Sequence, residues 1–196
     1  MSTRDRILDA AASVLHERGV ARATTKEIAR TAGCSEALLY KYFTDKQELF
    51  LGVLAERAPH LPPPDALVGT RTVAANLTEL VRGLLAFYVR SFPMAASIFG
   101  APELLAAHRA GMRRLGAGPA TPAHRVQAYL DAEVARRRVD SGVDTEAVAR
   151  TLTGAALLEA FLAVYEGDDG VPDADEVAAR IVATVPITSG TARPPR

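Results

Sequence analysis

Tryptophan is absent from the chain, cysteine occurs once, and the aromatics amount to only six phenylalanines and five tyrosines. A single cysteine, Cys34, excludes an intramolecular disulfide and a cysteine-rich zinc site. Few aromatics mean that the core must be built from Ala, Leu and Val, a composition that favours helix. Sustained alternation of apolar and polar residues is also missing, so essentially no strand is expected. The four histidines, His16, His60, His108 and His124, stand at no metal-ligand spacing. With no glycine-rich phosphate loop and no nucleophile elbow, neither a catalytic residue, a metal site nor a cofactor is expected. The start, Met1-Ser2-Thr3-Arg4-Asp5, lacks the apolar stretch of a signal peptide. The longest apolar run, 152–164, contains Glu159 and is too short to cross a bilayer. The expectation is therefore a cytoplasmic protein with no membrane partner.

The 196 residues suffice for one large or two small domains, and a hydrophobic share of 48% argues against global disorder. Formal charge sums to zero. The local balance differs: from Arg22 to Lys46 five basic residues face three acidic ones. That excess of two per subunit is a modest footprint for a polyanion.

Residues 24–43 hold the densest pattern. Thr24 is a good N-cap with Glu27 three positions on, the arrangement of a capping box. Ile28, Ala29 and Ala32 share one helical face. Gly33 then interrupts the pattern where a helix end needs a left-handed residue. Ser35 caps the next helix, with Leu38 or Leu39, Tyr42 and Phe43 turned inward. Helix, glycine corner, helix is the helix-turn-helix pattern. A helix capped by Ser2, with Ile7, Leu8, Ala11, Val14 and Leu15 as its apolar stripe, runs up to Gly19 ahead of it. After it, Thr44 with Gln47 caps a helix whose buried side is Leu49, Phe50, Val53 and Leu54.

The run T-T-x-x-I-A-x-x-A-G-C-S-x-x-x-L-Y-x-Y-F-x-x-K-x-x-L resembles the DNA-binding domain of the TetR family of transcriptional regulators. The resemblance covers about Ile7 to Leu54. It implies an all-α protein: an N-terminal three-helix helix-turn-helix domain over 1–58, a helical effector-binding and dimerisation domain over 59–188, and a disordered tail, 189–196. Its function would be that of a sequence-specific regulator, a repressor released from a palindromic double-stranded operator by a largely apolar small molecule. The alternative is a helical ligand-binding or protein-interaction module that does not read DNA.

A helix in the major groove reads bases with residues near its N-terminus. By position these are Ser35, Glu36, Ala37 and Leu38. The resemblance gives base contacts to the positions of Glu36, Ala37 and Leu38, with Tyr40 and Lys41 behind them. Glu36 can accept from a cytosine amino group or bond its own neighbours. Thr25, Lys26, Tyr40, Lys41, Tyr42 and Lys46 are expected on phosphates. Cys34 reads either as a small core residue or as a thiol sensor.

Beyond the proline-rich stretch 60–65, a helix is expected over 72–91, broken at Pro93, then a short one over 94–101. Further helices are expected over 103–114, 122–138, 144–165 (capped by Asp144) and 174–185 (capped by Asp173). The resemblance implies an effector pocket in this half, for which Phe87, Tyr88, Phe92, Phe99, Met112, Tyr129, Glu159 and Phe161 are the lining candidates. The last two helices are the expected homodimer surface, with Thr153, Gly154, Ala155 and Ala156 allowing close approach and Ala178, Ile181 and Val182 adding an apolar strip.

Overall fold

A computed structural model describes residues 1–57, 63–114 and 116–187. They form ten α-helices: α1 (Thr3–Arg22), α2 (Thr25–Thr31), α3 (Glu36–Tyr42), α4 (Lys46–Glu56), α5 (Pro64–Leu67), α6 (Val73–Phe99), α7 (Pro102–Arg114), α8 (Thr121–Ala135), α9 (Thr145–Glu166) and α10 (Ala174–Ala183). No β-strand forms among the described residues, so the all-α expectation holds. The stretch 58–62 and the tail from 188 onward, including the expected domain boundary, lie outside the described residues.

Two compact units emerge. The first comprises Met1–Pro59 and Arg90–Gly118, the second His60–Val89 and Pro119–Arg196. The end of α6 and all of α7 thus group with the helix-turn-helix, where the sequence places them with the remainder. Pro93 does not break the chain: α6 continues through it. Proline in a helix interior forfeits one backbone hydrogen bond and costs about 3 kcal/mol. Burial of Val89 and Ile98 on either side offsets that loss.

In the first unit α1 begins with a complete capping box between Ser2 and Asp5. Gly19 leaves helical geometry at φ 70°, as expected of a terminator, and a further turn follows it. The core is Ile7, Leu8, Ala11, Val14, Ile28, Leu39, Phe43, Leu49, Phe50 and Val53, drawn from α1 to α4, with Met94 and Leu104 packed against it. The side chain of Leu54 is outside the described set. The cap of α4 is Asp45 rather than Thr44: its carboxylate accepts from the Glu48 amide at 2.7 Å. Glu48 reaches back to the Thr44 amide and hydroxyl at 2.6 and 2.7 Å. Two overlapping acceptor patterns stand one residue apart in sequence, and the acidic pair prevails.

Charged side chains fasten the start of α1 to the end of α4. Arg4 makes a two-bond contact to Glu56 at 2.6 and 2.7 Å. Arg57 reaches Asp9 at 2.6 Å and Asp5 at 3.1 Å. Bonds from Ser2 and then Arg57 pull the Asp5 carboxyl down to about 2 from the usual 3.8. A depressed carboxylate stabilises the fold fully above its unfolded value, and that stability disappears as pH falls through the folded value. The urea midpoint of the wild type should therefore drop between about pH 4 and pH 2 with a share that Asp5→Asn abolishes. An unchanged acid slope in Asp5→Asn would contradict this assignment.

The second unit packs the first part of α6 with α8, α9 and α10 around Leu77, Leu80, Leu84, Val126, Leu130, Leu152, Ala178 and Val182. Asp144 caps α9 through the Ala147 amide at 2.9 Å, as expected. Asp173 precedes α10, but at φ 49° its side chain makes no cap bond. α8 ends at Ala135, earlier than expected, because Arg137 turns left-handed at φ 60°. A polar cluster sits within this core. Fully buried Glu133 accepts from the Gly69 amide at 3.0 Å and faces the Arg138 guanidinium at 3.3 Å. Fully buried Asn76 donates to the Leu67 carbonyl at 2.9 Å. Tyr129 is buried beside them, which pushes its hydroxyl up to about 12.

α9 differs from expectation in kind. With 22 residues it is long and apolar enough, by length and composition, to cross a membrane. One face, Val148, Ala149, Leu152, Ala156, Ala160 and Ala163, is buried in the unit's own core. The other exposes Leu157, Leu158, Phe161, Leu162 and Tyr165. The strip Ala178, Ile181 and Val182, expected outward, is buried within the unit, because α10 turns its only apolar face onto this core.

Candidate nucleic-acid interface

α2 ends at Ala32, and Gly33 adopts φ 66°, which an L side chain rarely tolerates. The Cys34 amide donates to the Ala29 carbonyl at 2.9 Å and the Gly33 amide to that of Arg30 at 3.1 Å, a Schellman closure. Ser35 then caps α3, its hydroxyl accepting from the Leu38 amide at 3.1 Å. A corner of two residues thus fixes the angle between the two helices. Cys34 is half-buried against the core of this unit, the position of a small packing residue.

α3 is anchored by Leu39 and Phe43, four residues apart on one face and both buried. Its other faces look outward. Ala37, Tyr40, Lys41 and Tyr42 are exposed, and Glu36 and Leu38 half-buried. Tyr42, expected inward, is 42% exposed, since it sits one position off the Leu39–Phe43 row. Ser35 and Lys26 are exposed, and Thr25 is half-buried. Lys46 is partly buried with its ammonium 5.1 Å from the centre of the Phe50 ring, and desolvation lowers its pKa. Glu27 does not complete the capping box. The Thr24 hydroxyl accepts from its amide at 3.2 Å, while its carboxylate turns to Arg18 at 2.8 Å and Arg30 at 3.6 Å.

One link has no counterpart in sequence spacing. The Thr25 hydroxyl, at the start of α2, donates to Glu36 Oε1 at 2.5 Å, and the Tyr40 hydroxyl donates to Thr25 Oγ1 at 3.3 Å. Three of the sequence-named residues therefore meet on one surface.

The ligand candidates do not assemble in this way. Phe92, Phe99 and Met112 fall in the first unit and the other five in the second. Tyr129 is buried in the second core, whereas Phe99 is 71% exposed and Phe161 lies on the outer face of α9. A small apolar cleft occurs elsewhere, inside the first unit, lined by Phe50, Leu51, Met94, Ile98, Leu104 and His108 among others. Nδ1 of His108 is buried there with no hydrogen-bond partner among the described residues, and desolvation lowers the pKa of its imidazole. Spacing alone could not reveal the cleft, because its walls come from α4, α6 and α7.

Residues 7–53 match the family model described as "Bacterial regulatory proteins, tetR family". Over 104 residues the chain is 34% identical to the HTH-type transcriptional regulator BetI of Rhizobium meliloti (strain 1021), a match covering 53% of this chain and 47% of BetI. The chain thus spans about half the length of that curated relative. Among solved structures it is similar to a TetR transcription regulator from Haloarcula marismortui, with a TM-score of 0.69 at 20% identity over 93% of this chain and 95% of that one. It is similar also to the regulator FadR of Bacillus subtilis in complex with stearoyl-CoA, with a TM-score of 0.66 at 16% identity over 92% and 98%. At these identities the structural likeness establishes the fold alone.

Proposed function

We propose, for a chain that carries the DNA-binding domain of the TetR family of bacterial regulators, that it is a homodimeric, sequence-specific repressor of transcription. The outward face of α3 carries this reading. The glycine corner holds a short rod with Ala37, Tyr40, Lys41 and Tyr42 exposed, on a base of buried Leu39 and Phe43. Such a rod fits the major groove, and two of them about 34 Å apart fit successive turns of a palindrome. The exposed apolar face of α9 supplies a self-complementary surface for pairing.

An apolar small molecule releases the repressor by favouring dimer conformers whose reading helices no longer match successive grooves. FadR of B. subtilis, a structural neighbour, binds stearoyl-CoA, a ligand with a long apolar acyl chain. The cleft on α4 bears directly on Phe50 and Leu51, so a ligand there would act on the reading unit itself.

Titration of the full chain with duplex DNA from the region flanking its own gene tests this. Saturable binding of two protomers per duplex is the expected result, and no binding above that to random duplex rejects the reading. Lys41, exposed at the end of α3, is assigned to phosphate. Lys41→Ala should weaken binding to all sequences about equally and make the log-log salt slope shallower by about one per subunit. A changed sequence preference in that variant would reject the phosphate role.

A further inference from the structure

We infer that Glu36, Thr25 and Tyr40 form a single hydrogen-bond acceptor surface that selects an exocyclic amino group, cytosine by preference, at one position of each half-site. The inference rests on α3 being the groove-facing helix. Proton bookkeeping fixes the direction of the bonds. A carboxylate has no proton to give, so the 2.5 Å contact requires Thr25 to donate to Glu36. A threonine hydroxyl has one proton, and that proton is spent. The 3.3 Å contact must then be Tyr40 donating to Thr25. The Thr25 proton points to the carboxylate and the Tyr40 proton to Thr25, so the lone pairs of Tyr40 and of the second Glu36 oxygen remain for an outside donor.

Two consequences follow for recognition. First, while its proton is engaged in this relay, Tyr40 presents lone pairs rather than a donor to the groove. Second, Glu36 forms no ion pair among the described residues, while the nearby Glu27 is met by Arg18 and Arg30. On the protein side one carboxylate oxygen accepts from the Thr25 hydroxyl, and on the DNA side the carboxylate is matched by a hydrogen-bond donor. Bases offer donors in the major groove only as the amino groups of cytosine and adenine. Beside its amino group adenine presents the N7 acceptor, which faces lone pairs unfavourably. Cytosine presents an apolar C5–H edge there, compatible with the exposed methyl of Ala37, next to Glu36 on α3.

The test is selection from a randomised duplex pool with the full wild-type chain, Glu36→Gln and Glu36→Ala, each with a wild-type circular dichroism spectrum. The wild type should enrich cytosine at one position per half-site. Both variants should lose about tenfold of the discrimination between cytosine and the other bases at that position, while the preferences at the remaining positions of the half-site persist. Enrichment of adenine there by the wild type, or the same cytosine preference in the two variants, overturns the inference and leaves DNA reading intact. A wild type that enriches no sequence overturns both.

Discussion

Phe43→Ala is expected to lower the stability of the protein by about 3–5 kcal/mol, seen as a large fall in the urea midpoint and in DNA binding together. The residue is 2% exposed and stands just past the end of α3, where it packs into the core shared with α1 and α4. Its ring lies so near α4 that a Cβ on Gly52 would stand 3.3 Å from its Cε1. The Arg4 guanidinium covers the ring at 5.3 Å while forming its two bonds to Glu56. Truncation therefore removes a large buried volume and the platform of a cation–π contact at once. A loss of this size approaches the whole stability of a marginal domain. Phe43→Leu, which keeps most of the volume, should recover most of the lost midpoint. A Phe43→Ala variant that melts like the wild type would mean that α3 is not held by this face.

Phe161→Glu should convert a dimer to a monomer in sedimentation and reduce operator affinity about 100-fold or more. Leu158, Phe161, Leu162 and Tyr165 stand on one side of α9, all exposed, with Tyr165 reaching 76%. The rings of Phe161 and Tyr165 lie 6.1 Å apart, which makes the patch aromatic at its centre. Gly154 extends it with an open backbone, where a Cβ would meet nothing within 4 Å. Exposed contiguous apolar surface of this kind marks an interaction site. At a two-fold interface one substitution acts twice, and each new carboxylate lies near its own copy. Since the site is on the surface of the subunit, the variant should keep a wild-type circular dichroism spectrum, with its unfolding midpoint lowered only by the loss of its partner. A wild type that sediments as a monomer, or a variant that stays dimeric, would refute the arrangement.

The helix-turn-helix was legible because its signals are local. Ser2 with Asp5, Ser35, and Gly33 at φ 66° each act within five residues of the element they start or end. Errors arose where a local rule met a competitor. Thr44 lost the cap of α4 to Asp45, one residue along. Pro93 was outweighed by packing on both sides of it. Tyr42 satisfied an apolar pattern, yet the Leu39–Phe43 row had already taken the inner face. The remaining features needed proximity that spacing does not encode. Thr25 and Glu36 are eleven residues apart and meet only because the corner at Gly33 brings α2 and α3 together. An alanine- and leucine-rich helix such as α9 is apolar nearly all round, so its pattern could not say which side the chain itself would cover.

The buried Glu133 couples the second unit's stability to a single cation. Its Oε1 accepts from the Gly69 amide, and its Oε2 faces the Arg138 guanidinium at 3.3 Å. Losing Arg138 alone strands a charge in the interior, at a cost of about 3–5 kcal/mol, whereas an apolar pair of matched volume is tolerated. Arg138→Met alone should therefore destabilise the protein more than Arg138→Met combined with Glu133→Leu, because only the single change leaves a carboxylate facing no cation.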